Sequence, residues 1–220
     1  MISTKTFIHA FRKIQLFIDA HIGSLPATDQ AHTMHNPYRV LVFTIISLRT
    51  KDTVSVPAAQ RLIKKAPTLK KLALLSHTDI ANTIYPAGFY NTKSKQLKKI
   101  ADILLRDYDG TVPSSREELL ALPGVGKKTA NLVLSVGFGI PAICVDIHVH
   151  RICNRLGYVQ TKTPDETETV LNKKLPEKYW IIINDYFVRF GQETCRPVSP
   201  YCSLCPIRRQ CSRVGIERSR

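Results

Sequence analysis

Apolar residues recur along most of this chain at the three-and-four spacing of a buried helix face. Phe7, Phe11, Ile14, Phe17 and Ile18 share one side of residues 4–21, which predicts an amphipathic helix. The polar stretch "GSLPATDQAHTMHNPY" at 23–38 then reads as a loop. "RVLVFTIISLRT" at 39–50 is apolar almost throughout; its length and the lack of partner strands favour a buried helix over a strand. Helical spacing continues over 54–65, 69–75, 78–87 and 92–107, punctuated by Pro67, Pro86 and "YDGTVPSS". "SREELLAL" gives a short helix ending at Pro123, and "KKTANLVLSVGF" another that begins after Gly126. "IPAICVD" is extended, and "IHVHRICNRLG" is a helix stopped at Gly157. "TPDETETVLNKKLP" and "KYWIIINDYFVRFGQETC" complete the set. No alternating strand series and no internal repeat is visible, so the predicted class is all-α.

At 220 residues the chain is long enough for one large domain or two small ones. It has no apolar run long enough for a membrane span, and the first twenty residues lack the pattern of a signal peptide. Lys and Arg total 32 against 17 Asp and Glu, a formal charge of +15. Such an excess suits a polyanion, because Lys and Arg displace condensed counterions from a nucleic-acid backbone.

Chemistry concentrates in "LPGVGKKTA" at 122–130. Gly124 and Gly126 permit positive φ and close approach of another backbone, and amides at a turn feeding a helix form an anion site. A nucleotide P-loop is excluded, because Ala121 stands where its first glycine is required and Lys128 where Ser or Thr is required. A dinucleotide loop is excluded by Thr129 in place of the third glycine. A plain turn between helices remains the alternative on local sequence. Asp146, just before "IHVHRICNRLG", has the position of an ordinary N-cap.

Of six cysteines, Cys144 and Cys153 stand apart and read as buried structural thiols. The others, Cys195, Cys202, Cys205 and Cys211, are spaced Cys-x6-Cys-x2-Cys-x5-Cys. A disulfide framework spreads its cysteines along a short secreted chain, whereas this crowding points to a metal site. Thiolate spacing alone leaves both zinc and a 4Fe–4S cluster open. Arg196, Arg208, Arg209 and Arg213 surround the cysteines, with no acidic residue between Glu193 and Glu217.

Together, "LPGVGKKTANLVLSVGFGIPAICVDIHVHRICNR" and the cysteine spacing resemble the endonuclease III family of helix-hairpin-helix DNA glycosylases and abasic lyases, from about residue 25 to 211. The resemblance implies a two-lobed helical fold, with a central lobe at about 25–135 and a second lobe of 1–24 plus 136–220. It implies a 4Fe–4S cluster on the four cysteines at 195–211. It makes Lys128 the nucleophile and Asp146 its partner, at the family's eighteen-residue spacing, meeting at the cleft between lobes. The chemistry is coherent on its own terms: an amine attacks the anomeric carbon, the base leaves, and the imine permits β-elimination. Attack needs the free amine, which the positive end of the following helix, the neighbouring Lys127 and burial would favour.

The resemblance further implies that the hairpin residues Gly124, Val125, Gly126 and Lys127 hold the DNA strand. Arg49 and Phe89 would enter the duplex where the damaged base leaves, and Arg49 departs from the glutamine common in bacterial members. A solvated arginine and a core phenylalanine are the plain alternatives. His148, Arg151 and Arg196 would touch the backbone, or His148 would simply pack. The implied substrate is double-stranded DNA with oxidised pyrimidines or abasic sites, acted on by a monomer with no membrane attachment. The expected location is the nucleoid-bearing cytoplasm of a prokaryote, or the nucleus or an organelle of a eukaryote. The rivals are a monofunctional adenine or thymine mismatch glycosylase, which lacks the lysine, and a DNA-binding module that cuts nothing.

Overall fold

The structure is a computed structural model and describes residues 1–22 and 36–220; most of the loop expected at 23–38 lies outside the described residues. In chain order its helices are α1 (Thr4–His21), α2 (Pro37–Ser47), α3 (Asp52–Lys65), α4 (Leu69–Leu74), α5 (His77–Ile84) and α6 (Tyr90–Asp107). There follow α7 (Arg116–Ala121), α8 (Lys127–Leu132), α9 (Ile147–Arg155), α10 (Pro164–Lys174) and α11 (Trp180–Glu193). Short side-chain caps open most of them. Ser3, Asn36, Thr68, Ser115 and Thr163 each accept an amide of the first turn. Ser76 and Asp79 form a reciprocal capping box at α5. Every regular element among the described residues is helical, so the all-α class expected from the pattern holds. No helix among them is long and apolar enough to cross a membrane.

The chain divides into two compact units, Pro26–Ala142 and Met1–Leu25 with Ile143–Arg220. In the first, α2 is buried on nearly every side, from Tyr38 and Val40 through Ile46, and packs against α3, α6, α8 and the segment after α8. An all-round apolar helix has to lie at the centre of its unit, which is why this one reads as a continuous apolar run. In the second unit, α1 buries Phe7, Phe11, Ile14 and Ile18 against α11. The Phe7 ring stacks on Tyr158 at 3.9 Å and meets Phe187 edge-on at 6.1 Å. Tyr158 is itself fixed, its hydroxyl donating to the Lys174 carbonyl at 3.1 Å.

Two expected helices differ in detail. Helix α5 ends at Ile84 rather than running to 87, because Pro86 offers no amide to continue it. The helix expected over 127–138 is α-helical only to Leu132; Val133–Phe138 is a wider π turn. The Ser135 hydroxyl donates to the Asn131 carbonyl at 2.7 Å, taking the acceptor its own amide would use in an α ladder. The wide turn sets Gly137 against α2, where an added Cβ would lie 2.9 Å from the Pro37 Cα.

Phe7→Ala removes the central ring of the second unit's core. It is expected to cost about 3–5 kcal/mol of stability, checked by chemical denaturation followed through the aromatic signal.

Candidate active site

The hairpin is built from α7, the turn Leu122–Gly126 and α8. The Val125 amide donates to the Leu122 carbonyl at 3.1 Å, and Val125 is buried, so the turn is anchored by one apolar side chain. Gly124 has φ +79, and an added Cβ would lie 2.5 Å from the Gln96 side chain. Gly126 differs from the expectation of positive φ: its backbone is extended at φ −96, and a Cβ there would meet nothing within 4 Å. Positive φ therefore disfavours any other residue at Gly124, whereas the bareness of Gly126 leaves space outside the chain. Lys127 and Lys128 open α8 and are exposed. Burial, one of the three features expected to favour the free amine, is thus not supplied at Lys128.

Asp146 is buried and caps α9, its Oδ1 accepting the amides of His148 at 2.8 Å and Val149 at 2.9 Å. One carboxylate oxygen held by two amides fixes the plane of the group. Further along α9, Arg151 points inward. Its guanidinium donates to the Gly191 carbonyl at 3.1 Å, to the Cys195 carbonyl at 3.0 and 3.2 Å, and to His148 Nδ1 at 3.1 Å. Arg151 and His148 are thus engaged within their own unit. Gly191, which pattern reading passed over, makes room for it, since a Cβ there would lie 2.4 Å from His148 Nδ1.

The sequence pattern of the HhH-GPD superfamily of base excision DNA repair proteins matches residues 42–177, which span this hairpin and Asp146. The chain belongs to that superfamily. This HhH-GPD protein is 46% identical over 180 residues to Endonuclease III of Thermotoga maritima, covering 82% of this chain and 84% of that one. Its fold matches the structure of a trapped endonuclease III–DNA covalent intermediate with TM-score 0.82, at 32% identity over 96% of each chain. It matches a thermostable thymine-DNA glycosylase with TM-score 0.82, at 26% identity over 94% of this chain and 95% of that one. The resemblance read from the hairpin and the cysteines is borne out.

Arg49 and Phe89 come together in the first unit of the HhH-GPD fold. Both are exposed, both have left-handed backbone at φ 52 and 58, and the Arg49 guanidinium lies 6.0 Å from the centre of the Phe89 ring. Beneath them is Lys93, another residue the pattern reading missed. It is 3% exposed, and burial pushes its pKa down to about 8. It lies on the apolar stripe of α6 with Leu97, Ile100, Ala101 and Leu104, and a lysine on such a stripe was the available signal.

Cys195, Cys202, Cys205 and Cys211 line one cavity with apolar walls in the second unit. The donors around them suit thiolates: the Arg213 amide points at Cys211 Sγ (3.4 Å) and Arg155 Nη1 at Cys195 Sγ (3.5 Å). Burial pushes Cys205 up to about 12 and raises Cys211. A bound cation reverses that preference by favouring the thiolate. Among the described residues no group of three or more His, Cys, Asp or Glu side chains is placed to hold a single metal ion. Arg155 also donates to the carbonyls of Arg196 at 2.6 Å and Pro197 at 2.7 Å, tying down the loop. Arg196 itself is half-buried, with its guanidinium 5.0 Å from the Tyr201 ring centre and 3.7 Å from Glu193.

The two hairpin glycines separate by substitution. Gly124→Ala is expected to lower stability by at least about 1 kcal/mol through strain at positive φ, while Gly126→Ala changes it by less than about 0.5 kcal/mol. Urea melts of both variants check this.

Proposed function

We propose that this protein is a bifunctional DNA glycosylase and abasic-site lyase of base excision repair, acting on oxidised pyrimidines in double-stranded DNA. The carrying observation is a lysine two residues beyond an outward-open glycine turn, in a chain of this superfamily. The bare backbone of Gly126 and the amides that follow approach a phosphate as no residue with a side chain would. Lys128 attacks the anomeric carbon of an extruded nucleotide; the C1′–base bond breaks, and the base leaves with the electron pair and takes up a proton. Ring opening gives an imine with Lys128. Loss of a proton from C2′ then expels the 3′ phosphate by β-elimination, and water hydrolyses the imine to return the lysine. Asp146, its carboxylate oriented by two amides, accepts the lysine proton and stabilises the positive sugar. Arg49 and Phe89 occupy the space the nucleotide leaves. Such an enzyme works where DNA is: the cytoplasm of a prokaryote, or the nucleus or an organelle of a eukaryote.

The four cysteines would hold a 4Fe–4S cluster. Four thiols round one cavity can hold a group with four thiolate ligands, and their Cys-x6-Cys-x2-Cys-x5-Cys spacing, which resembles that of the endonuclease III family, supports 4Fe–4S over zinc. When bound, it cross-links 195–211 and orders the loop, leaving base removal to the residues above. Iron with a broad visible absorption supports this assignment; stoichiometric zinc overturns it.

The likeness to a thymine-DNA glycosylase makes base removal without strand cleavage the second reading. Lys128 decides between them. Wild-type protein is expected to nick an abasic duplex and to be trapped on it by borohydride, and Lys128→Ala to lose both. Trapping of Lys128→Ala at wild-type yield would move the nucleophile elsewhere. Base release without nicking by the wild type supports the second reading, and binding alone supports a non-catalytic module. Asp146→Ser retains a cap and Asp146→Ala does not, a difference of about 1 kcal/mol in stability, yet both are expected to lose excision alike.

A further inference from the structure

Lys93 lies too deep to touch DNA, yet all three of its N–H groups are directed at the loop that carries Arg49. Its ammonium donates to the Ile46 carbonyl at 2.6 Å, the Leu48 carbonyl at 2.6 Å and Thr50 Oγ1 at 2.8 Å. The first two acceptors lie where α2 runs out of amides, so a cation there satisfies exposed carbonyls and the negative helix end together. Thr50 extends the arrangement. Its hydroxyl accepts the Gly88 amide at 3.1 Å and donates to the Leu48 carbonyl at 3.3 Å. Gly88 is the residue before Phe89, and a Cβ on it would lie 2.9 Å from the Arg49 carbonyl. Lys93 stands four residues after Phe89 on α6, and its amide closes the first turn onto the Phe89 carbonyl at 3.0 Å. One ammonium therefore fixes both strands of backbone that display the exposed pair. Non-glycine residues in left-handed backbone persist only where their surroundings over-determine them, and this network is what surrounds Arg49 and Phe89.

We infer that Lys93, acting with Thr50, is the positioning residue that presents Arg49 and Phe89 as one rigid element to the DNA duplex, so that base extrusion depends on a buried lysine remote from the chemistry. This rests on the reading of Arg49 and Phe89 as the residues that enter the duplex.

The test compares Lys93→Met, which keeps the volume and removes the charge and donors, with Thr50→Val, which removes the hydroxyl joining Lys93, Leu48 and Gly88, leaves the bonds of Lys93 to the Ile46 and Leu48 carbonyls, and keeps a fold if Lys93→Met does not. Two single-turnover rates are measured: excision of an oxidised pyrimidine from duplex DNA, and cleavage of a single-stranded abasic oligonucleotide, which needs no extrusion. Fluorescence of 2-aminopurine beside the lesion reports unstacking. Each variant is expected to lose about tenfold more on the duplex than on the single strand, with loss of the fluorescence rise. Combined with Phe89→Ala, either variant is expected to add less than about twofold, because both act through the same ring. Fully additive losses, or equal losses on the two substrates, would reduce Lys93 to general scaffolding and overturn the inference. If Phe89→Ala and Arg49→Ala themselves leave duplex excision intact, the reading beneath it fails instead.

Discussion

Two guanidinium groups on one helix hold the irregular C-terminal segment of the second unit in place. After α11 the chain makes no further helix, so its carbonyls need donors from elsewhere. Arg151 and Arg155 supply several of them, reaching Cys195, Arg196 and Pro197 from α9, while Arg151 also holds the Gly191 carbonyl near the end of α11. The same helix begins at Asp146, whose carboxylate is fixed by the first amides. The orientation of the acidic group and the course of the cysteine loop are therefore set by a single rigid rod. A disturbance at either end of α9 has a direct mechanical route to the other, within one unit and over nine residues.

Much of this was legible in the sequence because its signals are local. The buried stripe of α1, the run that became α2, the cap at Asp146, and the cysteine spacing all depend on neighbours a few residues away. What escaped depends on distant partners. The inward bonds of Arg151 cannot be seen from its neighbours, because the carbonyls it meets lie about forty residues further on. The partners of Lys93 cannot be seen from α6 alone, because its acceptors lie more than forty residues earlier. The π turn is a borderline case. Ser135 can bond back to Asn131 in any α-helix, and the closeness of Gly137 to Pro37 appears only once α2 is in position.

The hairpin shows how two glycines of one motif can answer to different demands. At Gly124 the backbone angle makes a side chain costly, and the Gln96 side chain would have to move aside for one. At Gly126 the fold is indifferent, and the space beyond is open. A residue that the protein does not need for its own folding, set beside the candidate nucleophile, is a mark of something external. Under the proposed function, stability and DNA contact thus lie two positions apart and can be changed separately.

The second unit is assembled from both ends of the chain, and this imposes an order on synthesis. Helix α1 emerges from the ribosome first, but Phe187 and Phe190, which cover its apolar face, are made more than 160 residues later. At ordinary elongation rates that is a wait of roughly ten to thirty seconds. The Pro26–Ala142 unit is continuous and has all its partners in hand well before then. For that interval the apolar face of α1 waits for the core that covers it, while the Pro26–Ala142 unit is already complete.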